Sequence, residues 1–161
     1  MFVKLSSLST KKKLLWVTLV ALIIMSMAFI FSQSTLSTDE VSQESNAAGE
    51  IVEDILPPDN PVTDEVTNNM DKVGHFGEFF ILGIFTAFFV GIFSVKKISA
   101  VCASLVFVEL VALFDETLQI FTGRFADVID MWFDVFGFAA ASVIVYMFLL
   151  AVKCIKGIKE R

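Results

Sequence analysis

Residues 115–137 read DETLQIFTGRFADVIDMWFDVFG. This short stretch holds five carboxylates, one Arg and one Gln. Long apolar runs flank it, Ile98 to Phe121 on one side and Met131 to Val152 on the other. Insertion into a membrane penalises ionisable groups by roughly 2.5–3.5 kcal/mol each at a helix centre, and by less near a helix end. Groups in such a place need a partner or water. The polar knot therefore predicts a site where two membrane-crossing helices meet an aqueous face.

The whole chain fits that reading. A length of 161 residues would suit one soluble domain, but 56% of the residues are hydrophobic, 18 of them Phe. They fall in unbroken blocks that a soluble core does not require. The net charge of −6 hides a segregation of sign along the sequence. No basic groove or stacking platform is present, which excludes a nucleic-acid partner. Cys102 and Cys154 fall toward the basic ends of apolar blocks and read as small packing residues, with neither a disulfide nor a metal site implied.

Working outward, four apolar blocks predict an all-α membrane protein with four transmembrane helices. A basic leader, residues 1–13, precedes an uncharged run from Leu14 to Phe31. Eighteen residues at 1.5 Å each span roughly 30 Å of hydrocarbon, so this run can cross. A cleaved signal peptide is the rival reading, but no clear small-x-small cleavage site follows, which favours a retained helix. The second block runs from Phe76 to Val95, with Gly83, Ala87 and Gly91 as a stripe that admits a close neighbour. Lys96 and Lys97 leave a tight turn before the third block, Ile98 to Phe121. The fourth, Met131 to Val152, carries Gly137 and Ala141 as a second small-residue stripe, and a basic tail, 153–161, ends the chain.

The segment 32–70 is different material. It has nine acidic residues, no basic ones and no aromatics, with Pro57, Pro58 and Pro61 interrupting it. Such composition predicts a disordered or loosely held loop. Two short interfacial helices fit within it. One covers Ile51 to Leu56. The other starts near Thr63 as N-cap and places Val62, Val66, Met70 and Val73 on one side.

Ten of the twelve Lys and Arg lie in the leader, the Lys96–Lys97 turn and the tail. Basic flanks stay in the cytoplasm, so both termini are expected inside and the acidic loop 32–75 and the 115–134 segment outside, in a cell membrane. At helical rise Glu109 would lie roughly 16 Å into the third helix and Glu116 roughly 27 Å in, near the outer surface. Glu109 and Glu116 are seven apart and share a face, with Gln119 close to it. Asp71, His75 and Glu78 share a face of the second helix if it runs through Gly74. Asp127, Asp130 and Asp134 do the same on the fourth. Three helix ends thus bring acidic faces to one outer layer. Lys72 and Arg124 are the cations available to it, and His75 is the single histidine of the chain.

Asp71-Lys72-x-x-His75-Phe76, Glu116-x-x-Gln119-x-Phe121-x-Gly123-Arg124 and Asp130-x-x-x-Asp134-x-x-Gly137, together with Phe31-Ser32-Gln33, resemble the motifs of the VanZ-like family of small polytopic bacterial membrane proteins. The resemblance covers nearly the whole chain, from the first helix to the fourth. It implies a single VanZ-like domain and, since the founding member is linked to resistance to the glycopeptide teicoplanin, a role at the cell envelope. Three positions depart from the family's pattern. Asp134 stands where Asn is usual, Phe79 where Tyr is common, and Ala141 where Gly is frequent.

Each residue has a functional and a structural reading. His75 is a metal ligand or proton shuttle with Glu78 and an Asp of the fourth helix, or an interfacial His bonded to a carboxylate. A metal would need ligands from different helices, so no metal site is assigned. Arg124 clamps a phosphate or carboxylate of a ligand, or closes the loop against Asp127 or Asp130. Glu109 titrates in a path or cavity, or bonds a neighbouring helix as the neutral acid. The pocket expected from the residues is Lys72, His75, Glu116, Gln119, Arg124 and Asp130, with Asp134 at its floor. Asp71, Glu78, Glu109, Asp115 and Asp127 are secondary to it.

Three functions compete. The first is binding of a cell-envelope headgroup, cell-wall precursor or glycopeptide. The second is an enzyme acting on a lipid-linked or phosphorylated substrate at the outer leaflet. The third is a small proton- or ion-coupled transporter using Glu109. No complete catalytic motif is present, which ranks the enzyme second, and the sequence names neither a catalytic residue nor a cofactor. The lipid bilayer is an expected partner, and four helices leave room for an oligomer.

Overall fold

The computed structural model describes residues 2–55, 61–95 and 97–159. Leu56, Pro57, Pro58, Lys96 and the final Glu160 and Arg161 lie outside the described residues. Among the latter every regular element is helical, with α1 at Thr10–Ser34, α2 at Thr38–Ile55, α3 at Pro61–Thr67, α4 at Met70–Phe93, α5 at Lys97–Phe121 and α6 at Val128–Lys159. A single 3-10 turn, Leu5–Ser7, lies in the leader. Four helices are long and apolar enough to cross a membrane: α1, α4, α5 and most of α6. Each extends past the apolar block that announces it. Polar residues at the ends, such as Ser34, Lys72 and His75, continue the helix because its backbone hydrogen bonds do not depend on the side chain's polarity.

The central helix pair is α4 on α6, the most extensive contact of the fold. Glycine makes it possible. A Cβ on Gly83 would lie 2.8 Å from the Phe138 carbonyl oxygen and 2.9 Å from the Ala141 Cβ. One on Gly137 would collide with the Phe76 carbonyl oxygen. Within lipid there is no hydrophobic drive between helices, so close backbone packing of this kind holds them together. α1 and α5 lean on this pair. Ile30, Phe79, Leu82, Val108, Val111, Ala112 and Phe138 form the buried core between the four helices. The outer faces carry exposed Leu14, Ile24, Phe29, Leu105, Leu110, Val143 and Phe148. So much exposed apolar surface suits lipid rather than water.

Contacts fix which helix ends lie together. Ser34 of α1 meets Asp115 of α5, and His75 of α4 meets Asp134 of α6. At the opposite end the Val3 amide donates to the Phe93 carbonyl at 3.0 Å, and Phe2 packs on Phe89 with ring centroids 5.4 Å apart. Trp16 approaches the same ring at 5.9 Å. The leader is therefore docked on α4 and does more than carry charge.

Three expectations are corrected here. The 32–70 segment is largely helical, with α2 far longer than the short piece expected from Ile51. A capping box starts it: the Ser37 amide and hydroxyl donate to the Glu40 carboxylate at 2.8 and 2.7 Å, and the Glu40 amide returns to the Ser37 hydroxyl at 3.4 Å. Next, α3 begins on Pro61, whose fixed φ and missing N–H suit a first helical position. Thr63 is buried inside it rather than capping it, and the Asn68–Asn69 turn separates it from α4, so Val62 and Val73 form no common buried side. Third, Cys102 and Cys154 are exposed and are not packed among the described helices.

Candidate functional site

α4 runs without a break through Gly74, so Asp71, Lys72, His75 and Glu78 leave one helix within two turns. The close crossing at Phe76 and Gly137 sets the next step. His75 precedes Phe76, and Asp134 lies one turn before Gly137. The His75 Nδ1 is consequently 3.1 Å from Asp134 Oδ1. It is 3.7 Å from Asp115 Oδ2, and the other ring nitrogen is 3.8 Å from Asp130 Oδ2. Three carboxylates from α5 and α6 thus surround one imidazole.

α5 ends in a Schellman motif. Gly123 adopts φ 82°, the Arg124 amide donates to the Gln119 carbonyl at 3.0 Å, and the Gly123 amide donates to the Ile120 carbonyl at 3.2 Å. This turn leads into α6. Asp127 caps α6, its carboxylate accepting from the Ile129 amide at 2.8 Å. The Gln119 side-chain amide donates to Asp115 and Glu116, each at 3.1 Å. Glu116 also accepts from the Asp127 backbone amide at 2.8 Å. The Ser34 hydroxyl donates to Asp115, and Thr122 donates to the Ser34 carbonyl at 3.2 Å, which ties the end of α1 to the end of α5.

Beside this network lies a cavity of about 300 Å³. His75, Glu78, Asp115, Gln119 and Arg124 line it from the bundle, with Gln33 and Ser34 from α1. α2 adds Val41, Glu44, Ser45 and Ala48 to the lining. The expected single pocket is thus two layers. His75, Gln119 and Arg124 line the cavity, together with Asp71, Glu78 and Asp115. Lys72, Glu116, Asp130 and Asp134 stand outside its lining, and Asp134 is wholly buried.

The charges are unevenly satisfied. Lys72 pairs with Asp71 at 3.0 Å and Asp130 at 3.8 Å. Arg124 has no carboxylate within ion-pair distance among the described residues, so the alternative of its closing the loop against Asp127 or Asp130 is not seen there. Asp134 Oδ2 and Asp130 Oδ1 are buried without a hydrogen-bond partner. Glu109 does not join the group. It is exposed in a separate shallow groove with Val128, Met131, Trp132 and Val135. Seven residues along α5 separate it from Glu116 by about 10 Å along the axis, in line with the different depths expected of the two. At that depth Glu109 meets the open side of α6 rather than α4.

Ser34, Glu44 and Ser45 were missed. Ser34 follows the Phe31-Ser32-Gln33 motif directly, but the first helix was ended at Phe31. Ser37-x-x-Glu40 is a readable helix start, and recognising it would have placed α2 and its inward face.

The arrangement offers an imidazole among carboxylates, a guanidinium at the cavity wall with no ion pair among the described residues, and a helix along one side. No curated protein and no solved structure matches the chain. The family model for VanZ/LLP1 matches residues 17–150, from within α1 to near the end of the apolar part of α6. With that match over most of its length and four helices fit to cross a membrane, the chain belongs to the VanZ/LLP1 family of multi-pass membrane proteins.

Proposed function

We propose that the cavity opens on the extracytoplasmic side and receives the anionic headgroup of a cell-envelope lipid precursor, with both termini in the cytoplasm. Arg124 carries this reading. A guanidinium that lines a cavity without a carboxylate partner among the described residues is suited to a ligand phosphate, which its planar fork meets in two hydrogen bonds. The volume of about 300 Å³ is at the lower bound for small-ligand sites and suits a headgroup better than an entire glycopeptide. Tolerance to teicoplanin-type antibiotics would then follow from capture of the precursor.

A second reading, an enzyme acting on a lipid-linked phosphate, draws support from the His75 and carboxylate cluster beside the same cavity. In that case binding would precede turnover at the same site. Transport through Glu109 draws no support, since that residue lies in its own exposed groove.

The test uses a short-chain polyprenyl phosphate and the purified chain in nanodiscs. Arg124→Ala should weaken binding about 10- to 100-fold, since hydrogen bonds to a charged group contribute about 1.5–3 kcal/mol. It should also lower growth at graded teicoplanin concentrations in a sensitive host at equal membrane abundance. Equal binding by parent and variant would overturn the reading. Turnover of the phosphate by the parent would favour the enzyme.

A further inference from the structure

We propose that His75, Asp115, Glu116 and Asp134 bind a divalent transition-metal ion, zinc or manganese, at the wall of the cavity. Each residue supplies one donor atom, and the four atoms lie within 4.8 Å of one another. They come from three helices, α4, α5 and α6, and all four residues are buried.

The cluster is more than a concentration of acid. Asp134 is 0% exposed, and its Oδ2 has no hydrogen-bond partner. A buried carboxylate oxygen left unsatisfied costs free energy that a cation would recover. Nor can one imidazole nitrogen satisfy its surroundings. Nδ1 faces Asp134 at 3.1 Å and Asp115 at 3.7 Å, yet it carries at most one proton to donate. A metal between them would satisfy all three. In a tetrahedral zinc site donors bonded at about 2.0–2.2 Å stand roughly 3.3–3.6 Å apart, so the widest-set of these donors, within 4.8 Å of one another here, close by about 1 Å as the ion binds.

The surroundings are those of a supported coordination sphere. The second ring nitrogen of His75 points to Asp130 at 3.8 Å, the place of the outer carboxylate that orients a ligating histidine. Gln119 steadies both Asp115 and Glu116, the Asp127 amide holds Glu116, and Ser34 holds Asp115. Three carboxylates close together repel when charged, and a divalent ion removes that repulsion. One imidazole with three carboxylates suits zinc or manganese, whereas calcium and magnesium prefer oxygen alone. His75 and Asp115 also line the cavity, so a bound ion would sit at its edge, within reach of a ligand oxygen. The inference does not rest on the headgroup reading, because the ion can be measured without any lipid ligand.

The chain should be purified in detergent with a tag that binds no metal, without chelators, and assayed by elemental analysis. About one zinc or manganese ion per chain is expected. Asp134→Asn, which keeps the shape and removes the charge, and His75→Ala should each lower occupancy about tenfold or more. Glu109→Gln, in its separate exposed groove, should keep it. Chelated parent should regain thermal stability on titration with zinc or manganese, and Asp134→Asn should not. A metal-free parent that gains no stability from either ion would overturn the proposal, even if the variants fail to fold. So would full occupancy in a folded Asp134→Asn.

Discussion

Gly137→Ala adds one methyl group where the fold has least room for it. The new Cβ would collide with the Phe76 carbonyl oxygen and stand 3.2 Å from the Phe76 Cα. Both are backbone atoms of α4, so no rotamer change relieves the contact, and α4 must move away from α6. Overpacking costs typically about 1–3 kcal/mol, and a backbone obstacle places this case near 2–3. At roughly 2–4 °C per kcal/mol for a chain of this size, the melting temperature should fall by about 4–12 °C. The site should suffer as well. His75 and Asp134 flank this crossing at 3.1 Å, and a shift of a few tenths of an ångström takes them beyond good hydrogen-bond length. Thermal melts in detergent, followed by the fluorescence of Trp16 and Trp132, would measure the loss. Phe136→Leu, on an exposed face, is the control and should change stability by no more than about 0.5 kcal/mol. A Gly137→Ala protein as stable as the control would refute the α4–α6 packing and the placement of the site built on it.

Other outcomes can be checked separately. Gly83→Leu should lower folded yield in detergent well below that of a lipid-facing Phe→Leu control, because Gly83 faces the Phe138 backbone and Ala141. Hydrogen bonds from the Ser37 hydroxyl and amide hold the Glu40 carboxyl below its ordinary value of 4.5. Its capping contribution is therefore complete above that value and is lost as pH falls through the lowered one. NMR shifts of residues 37–41 should report fraying of α2 as the pH is taken below 4.5, and a Glu40→Gln chain with the same pH response would exclude this cause. With Cys102 and Cys154 replaced, a cysteine at Asn46 should react with a membrane-impermeant thiol reagent in intact cells and one at Lys97 should not. The opposite pattern would put the cavity in the cytoplasm. Glu109→Gln should leave ligand binding unchanged, and a loss would show that the exposed groove communicates with the cavity.

The helices and the polar layer were legible because both rest on local rules. Apolar block length announces a crossing, and the spacing of His75 on one helix and Asp134 on another places each on a face near the same end. Small residues announced the close crossing, and Gly83 and Gly137 are where the backbones approach most tightly. What was not legible depends on partners distant in sequence. Asp115 was ranked below Glu116, since nothing local says that Ser34 and Gln119 both reach it. Glu109 shares a face with Glu116 and lies about 10 Å deeper, but periodicity gives the direction of a side chain and not what stands opposite it. The polar, acidic and Pro-interrupted composition of 32–70 predicts a loose loop, although Ser37 and Glu40 carry a helix start that composition alone obscures. Convergence of His75, Asp115, Glu116 and Asp134 needs three helices at once, which no spacing within one helix reveals.

Cross-linking in native membranes tests that convergence most directly. In a chain lacking Cys102 and Cys154, the pairs His75→Cys with Asp134→Cys and Ser34→Cys with Asp115→Cys would be treated with a short bifunctional thiol reagent. Leu105→Cys, on an exposed face of α5, paired with His75→Cys is the control. Both site pairs should form an intramolecular link and the control pair none. Failure of both site pairs in a normally inserted chain would contradict the account that α1, α4, α5 and α6 bring their polar ends to one site.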